Sequence, residues 1–138
     1  MTVAAGPVPR ASAPTDTRQR RIAYWVTTAL VALALAGGGI ADVLRTDTVV
    51  AGMTHLGYPV YFIVLIGIWK LLGTAALLAP AFPRLKEWAY AGAIFNFTGA
   101  AISHAASSDP PIKLLAPLLL AALAIASWTL RPSTRRLA

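Results

Sequence analysis

The 138-residue chain contains no cysteine, and only 12% of its residues are charged. The missing thiols exclude disulfides, thiolate metal sites, iron–sulfur ligation and catalysis by a cysteine nucleophile. A soluble domain has about 25% charged residues. The low charge, with 57% hydrophobic residues and a mean hydropathy of +0.66, indicates that lipid surrounds most of the chain.

Acidic residues are scarcer than basic ones, and the net charge is +7. Nucleic-acid binding would require a basic stripe with interleaved aromatic residues, which this chain lacks. The basic residues lie instead at the ends of apolar segments, as the anchors of membrane helices do. We therefore expect a lipid bilayer as the surroundings and no nucleic acid as a partner. We also expect no metal site, because two histidines and one aspartate form a thin ligand set.

Four apolar runs each have about 20 residues, the length that a helix needs to cross about 30 Å of hydrocarbon. They predict an all-α, four-transmembrane-helix bundle with spans over 22–44, 58–80, 88–106 and 112–130. Residues 1–21 contain three prolines and four arginines and predict a disordered basic tail, and 131–138 are predicted to form a second basic tail. A cleaved signal peptide in place of the first span is an alternative that would leave three spans.

Basic residues are distributed unequally between the two sides that these spans define. Arg45 and Lys113 fall on one side. The other side carries Arg10, Arg18, Arg20, Arg21, Arg84, Lys86, Arg131, Arg135 and Arg136. Because cytoplasmic segments carry the excess of arginine and lysine, we expect both termini to be cytoplasmic.

Lys70 lies in the middle of the second apolar run, where a charge is costly. At 1.5 Å per residue, Lys70 and Asn96 lie about 15 to 18 Å from the outer ends of their spans. No carboxylate is expected at that depth, so the amine would be neutral, hydrated, bonded to carbonyls, or facing a cavity or ligand. Trp69 and Tyr61 complete this candidate ligand site with a ring face and a hydroxyl. Such a cleft suits a quinone or another carbonyl-bearing lipophile; the alternative is a lysine without a ligand, its stem lying along a neighbouring helix.

Two further polar groups are candidates. His104 and Asp42 each lie one turn inside the outer end of a span, where they could pair at the outer rim or remain solvated. Glu87 opens the third span, where an acid suits the helix dipole. Arg84 or Lys86 could pair with it on the cytoplasmic side.

One face of the third span carries small or polar residues, namely Gly92, Asn96, Gly99 and Ser103. Their spacing of i, i+4, i+7 and i+11 places them together on a helix. Small residues let helices approach closely in lipid. This face therefore predicts a helix–helix seam, which would permit a homo-oligomer, or alternatively the lining of a pocket. The glycines at 37–39 in the first span likewise indicate a close-packing point.

Two segments together resemble a known family: "HLGYPVYFIVLIGIWKLLGTAALLAP" and "PRLKEWAYAGAIFNFTGAAISHAASSD". They are similar to the DoxX-like family of small bacterial integral membrane proteins, and the likeness extends over about 22–130. The resemblance implies a multi-pass, four-helix domain in the bacterial cell inner membrane. It also implies an accessory subunit of a membrane redox complex, because the family name comes from a subunit associated with a thiosulfate:quinone oxidoreductase. A redox protein as partner, a quinone as cofactor and no enzymatic activity of the chain alone are the corresponding expectations.

Two other functions are alternatives to the redox subunit. A small-molecule transporter or channel would use the same polar residues to line its path, and a purely structural membrane protein would use them in packing. Transporters commonly contain repeated halves with broken helices. Lys70 has no counterpart in the fourth apolar run, which disfavours a transporter.

Overall fold

The computed structural model describes residues 17–137, which form five α-helices, one short 3-10 turn and no strand. The helices are α1 (Arg18–Val43), α2 (Asp47–His55), α3 (Val60–Leu78), α4 (Pro83–Ala106) and α5 (Ile112–Leu130), and the 3-10 turn is Ser133–Arg135. The predicted all-α class is confirmed for these residues.

Three helices are long and apolar enough to cross a membrane, namely α1, α3 and α5. Helix α4 has 24 residues, which is sufficient length, but its composition is more polar. Trp88, Tyr90, Asn96 and His104 interrupt its apolar sequence. Three of the four predicted spans therefore coincide with an apolar helix, and the third predicted span coincides with a long helix of mixed composition.

The helix bounds differ from the predicted spans mainly at the N-terminal ends. Helix α1 begins at Arg18, because the Thr17 hydroxyl caps it by accepting from the main-chain nitrogen of Arg20. The last residues of the predicted 1–21 tail therefore belong to a helix, while 1–16 lie outside the described residues. Helix α4 begins at Pro83, a residue type that suits the first helical position.

Helix α2 was not predicted, and His55, expected in a loop, is its last residue. The helix has nine residues, too few to produce a hydropathy signal, and none of them is buried. Asp47 lies in its first turn, where a carboxylate is favoured by the helix dipole. In the connection between α2 and α3, Gly57 has a φ of +87°, a conformation that favours glycine.

The four long helices pack around one core, in the order α1, α3, α4, α5 and back to α1. Helices α1 and α3 form the most extensive pair, and α3 and α4 the least extensive of these four. The core consists of Val31, Leu35, Ala76, Leu77, Ala89, Tyr90, Ala93, Phe97, Ala121 and Ala124. Large apolar side chains such as Leu33, Phe95 and Ile102 point outward and are more than two-thirds exposed. Such an apolar exterior fits a protein whose solvent is lipid.

A buried chain of hydroxyl groups joins α1, α4 and α5. The Ser127 hydroxyl lies 2.7 Å from that of Thr28 and 2.7 Å from that of Tyr90. The Thr28 hydroxyl also donates to the carbonyl of Tyr24, at 2.6 Å. Because a hydroxyl buried without a partner is costly, these bonds fix how the three helices pack against each other.

Candidate functional site

Lys70 forms an ion pair with Asp42: the Nζ atom lies 2.7 Å from Oδ2. The pair lies where α1 and α3 cross closely. A Cβ atom at Gly67 would lie 2.7 Å from the Cβ of Asp42, and one at Gly39 would lie 3.0 Å from the Gly67 carbonyl. These glycines let the two backbones approach, which brings the last turn of α1 alongside the middle of α3. The close-packing point expected at 37–39 is therefore present at Gly39.

The expectation that no carboxylate would reach Lys70 is wrong. It assumed that α1 and α3 end at the same level. Helix α2 separates them, and the end of α1 lies level with Gly67, seven residues and so about 10 Å into α3. Asp42 is therefore only one turn from Lys70.

The predicted pair of His104 and Asp42 is also wrong. Asp42 bonds to Lys70, while His104 Nδ1 lies 2.7 Å from Asp109 Oδ2. Asp109 is five residues from His104 along the chain, so the turn between α4 and α5 supplies a closer acid than α1 does.

A cavity of about 340 Å³ lies between α3 and α4 and includes Lys70 at one end. Asn96 and Trp69 line the same cavity, so the structure brings together three of the four residues of the predicted ligand site. Tyr61 does not line it and is 74% exposed near the start of α3. The remaining wall is apolar, apart from main chain, and is formed by Leu35, Ile66, Leu72, Gly73, Ala76, Leu85, Trp88, Ala89, Gly92 and Ala93.

The polar groups of this cavity have unused hydrogen-bonding capacity. Within residues 17–137 the Asn96 amide makes no side-chain hydrogen bond, and the Lys70 ammonium makes one, to Asp42. An ammonium has three N–H donors, and an amide has two donors and an acceptor. The cavity therefore combines a charge-compensated cation and an amide at one end with apolar walls elsewhere, the usual composition of a small-molecule site.

Cationic side chains gather at the opposite end of the bundle, called here the Arg131 end. Lys86 is 1% exposed and donates to the carbonyls of Ala76 and Ala79, at the C-terminus of α3. Arg131 is 4% exposed and donates to the Trp128 carbonyl, near the C-terminus of α5. Five cations at this end thus bond to the last carbonyls of a helix or just beyond, where positive charge is favoured: Arg20, Lys86, Arg131, Arg135 and Arg136.

Glu87 pairs with neither Arg84 nor Lys86, contrary to the prediction. Its carboxylate accepts from Arg131 Nη2 at 2.7 Å and from Trp128 Nε1 at 2.8 Å. Consecutive residues point to different sides of a helix, so Lys86 faces α3 while Glu87 faces α5. Arg84 is exposed in the first turn of α4.

Asp109 is the centre of a second cluster, called the Asp109 end. Besides His104, its carboxylate accepts from Lys113 at 3.0 Å and lies 3.1 Å from His55 Nε2. Hydrogen bonds from His104 and Lys113 hold the pKa of Asp109 well below its ordinary value of 3.8. The carboxylate thereby ties together α2, α4 and α5, and among residues 17–137 no acid–histidine group has the arrangement of a metal site.

A model of the DoxX-like family matches residues 26–127. The chain belongs to the DoxX-like family. No curated protein and no solved structure gives a significant match. Together with the apolar helices, the family match identifies a membrane protein. The matched region of this DoxX-like protein includes the whole cavity and the Asp109 end but stops before Arg131.

The small-residue face of α4 has two different environments in this DoxX-like protein. Gly92 and Asn96 line the cavity, whereas the Ser103 hydroxyl lies 2.6 Å from that of Tyr58 within the chain. A Cβ atom at Gly92 or at Gly99 would meet nothing within 4 Å. Of the two interpretations of this face, pocket lining describes Gly92 and Asn96, and the homo-oligomer stays a prediction.

Proposed function

We propose that this DoxX-like protein is a multi-pass protein of the bacterial cytoplasmic membrane in which α4 also crosses the bilayer. The polar residues that lower its hydropathy are partly accounted for inside the protein, because Lys86 and Tyr90 are almost fully buried. Helix α4 also packs against α3 and α5, both of which are candidate spans. With four spans the two termini lie on the same side, and the concentration of arginine at the Arg131 end favours the cytoplasm for both.

The absence of native cysteine makes this topology directly testable. We would introduce single cysteines at Ser108, between α4 and α5, and at Ser133, after α5, and label intact cells with a membrane-impermeant maleimide. Labelling of Ser108→Cys alone is the expected result. Labelling of both positions would exclude a crossing by α5 between them. Labelling of Ser133→Cys alone would contradict the proposed topology, because it requires either the reverse orientation or an α4 that does not cross.

The cavity between α3 and α4 is proposed to bind a neutral, carbonyl-bearing lipophile such as a quinone. The observation that carries this proposal is the presence of the Lys70 ammonium and the Asn96 amide together at one end of an apolar cavity. Both groups donate hydrogen bonds, and a quinone or ketone presents oxygens that only accept. Because Asp42 compensates the charge of Lys70, the site favours a neutral head over a carboxylate or phosphate.

The physiological role that fits best is an accessory subunit of a membrane redox complex. Family membership supports it. A chain without cysteine has no thiol couple of its own, so a redox role requires a bound cofactor and a partner that exchanges electrons with it. The proposed contribution of this chain is to hold the lipophile at a defined depth, with donors directed at its oxygen, where they would stabilise negative charge formed on reduction.

The test is native mass spectrometry of protein purified in mild detergent, with scoring of bound small molecules and co-purifying proteins. We would compare the wild type with Lys70→Met and with Lys113→Met as the matched control, since Lys113 is a half-exposed lysine that does not line the cavity. A quinone that is present in the wild type and in the control, but lost from Lys70→Met, is the expected result. If all three preparations are equally stable and none carries a small molecule, the binding proposal fails and a structural role for Lys70 is favoured.

A further inference from the structure

The cavity that contains Lys70 adjoins a second one along α4. Leu85 and Trp88 line both, and the second, of about 750 Å³, is otherwise formed by Phe82, Pro83, Arg84 and Leu137. Asn96 and Leu85 are eleven residues apart, which is about 16 Å along a helix. The two adjoining cavities are together called the α4 groove, which is much longer than a quinone ring.

The polarity of the α4 groove is uneven. Lys70 and Asn96 lie at one end, and Arg84 lines the other. Between them the lining side chains are apolar, and Trp88 and Phe82 are 76% and 65% exposed along the far part. A ligand that fills the groove therefore needs a polar head only at the Lys70 end.

Small residues keep the middle of the α4 groove open. Gly73 on α3 and Gly92 on α4 both line the cavity, and a Cβ at either would meet nothing within 4 Å. Ala76, Ala89 and Ala93 continue the same wall. In close-packed protein, side chains normally fill such space. The opening is continuous with the polar end, which makes it an extension of that site.

We infer that the α4 groove selects single-tailed lipophiles, with the carbonyl head at Lys70 and Asn96 and one long apolar tail running along α4 past Gly92 to Trp88 and Phe82. This inference rests on the proposed function. Lipid is as apolar as the groove, so the tail gains packing contacts and little from dehydration. The tail therefore contributes moderately to affinity, and the groove discriminates between ligands by the length of the tail and not by its polarity.

The experiment uses the full chain in detergent and two benzoquinones with the same head, one without a tail and one with a long isoprenoid tail. Binding is followed by quenching of tryptophan fluorescence, because Trp69 and Trp88 line the groove. The measured quantity is the ratio of the two dissociation constants, compared between Gly92→Leu and Gly37→Leu. A Cβ at Gly37 also meets nothing, but Gly37 is on α1 outside the groove, so this control corrects for uptake of the long tail by micelles.

In the wild type and in Gly37→Leu we expect the long-tailed quinone to bind about three- to tenfold more tightly, from added packing contacts. In Gly92→Leu the two quinones should bind about equally, because the leucine fills the path of the tail. The same ratio in both variants, with both quinones still bound, would overturn the inference and leave the head site standing. Failure of both quinones to bind the wild type would overturn the proposed function, and the inference with it.

Discussion

The Lys70 ammonium and the Asp42 carboxylate are 2.7 Å apart, on helices whose backbones touch at Gly39 and Gly67. The two side chains are 20% and 6% exposed, so the pair is largely removed from solvent. Attraction between such charges offsets a large desolvation penalty, and the removal of one partner leaves that penalty uncompensated.

Asp42→Asn is expected to lower the free energy of unfolding by up to about 3 kcal/mol, since it leaves Lys70 without a counter-charge. Addition of Lys70→Met should restore most of the loss, because the pair is then replaced by uncharged side chains. Thermal unfolding of the wild type, both single variants and the double variant in one detergent gives the coupling energy between the two positions by a double-mutant cycle. A double variant as unstable as Asp42→Asn would show that the charge of Lys70 is not what Asp42 compensates.

Asp42→Asn should also change which ligands the α4 groove accepts. With its charge uncompensated, Lys70 would attract an anionic head, and we expect the preference to shift by about tenfold toward a long-chain carboxylate over a neutral quinone, a change of about 1.4 kcal/mol. Competition between the two ligands on the purified protein measures the shift. Asp47→Asn, which removes an exposed acid of α2, is the matched control and should leave the preference as it is.

Gly67→Ala is expected to destabilise the protein by about 1 to 3 kcal/mol, through overpacking. The new Cβ would lie 2.7 Å from the Cβ of Asp42 and 2.9 Å from the Gly39 carbonyl, neither of which can move without shifting a backbone. Gly73→Ala on the same helix is the control, because its Cβ meets nothing within 4 Å. Thermal unfolding compares them, and equal stability of the two variants would mean that α1 and α3 do not cross at Gly67.

Asp109 should make stability depend on pH in acid. Because its folded-state pKa is lowered, the stabilisation it provides is fully present above the ordinary value of 3.8 and is lost as the pH falls through the lower folded-state value. Asp109→Asn should therefore be less stable than the wild type at neutral pH, and the gap should narrow below pH 3.8. Unfolding temperatures of both proteins across that range test the sign. A gap that is constant with pH would mean that Asp109 does not act through its charge.

Helix content was the most predictable part of the structure. The fourth predicted span, 112–130, has the bounds of α5, and the second differs from α3 by two residues at each end. These spans are strongly apolar, so hydropathy alone delimits them. Helix α2 gave no such signal, because it is short and exposed.

Contacts between helices were less predictable, because they depend on the relative heights of the helices. A cavity was one of the alternatives given for the surroundings of Lys70, and Lys70 and Asn96 both line the cavity between α3 and α4. The partner of Lys70 was missed because α2 displaces the end of α1 relative to α3. Arg131 was expected only as a tail anchor, yet it is buried between Glu87, Tyr90 and Trp128, an environment that appears only once α4 and α5 are packed together.

The hydrogen bonds made by the cations at the Arg131 end determine which basic residues can be substituted. Lys86, Arg131 and Arg136 each hold a main-chain carbonyl, so replacing them would fray a helix terminus as well as remove a charge. Arg18, Arg21 and Arg84 are exposed and carry the same charge without such a bond. Sequence drift and engineered charge reversal are therefore tolerated best at those three positions. Replacing Lys86, Arg131 and Arg136 in order to reverse the orientation in the bilayer would therefore also destabilise the helix ends, and we expect misfolding to precede inversion.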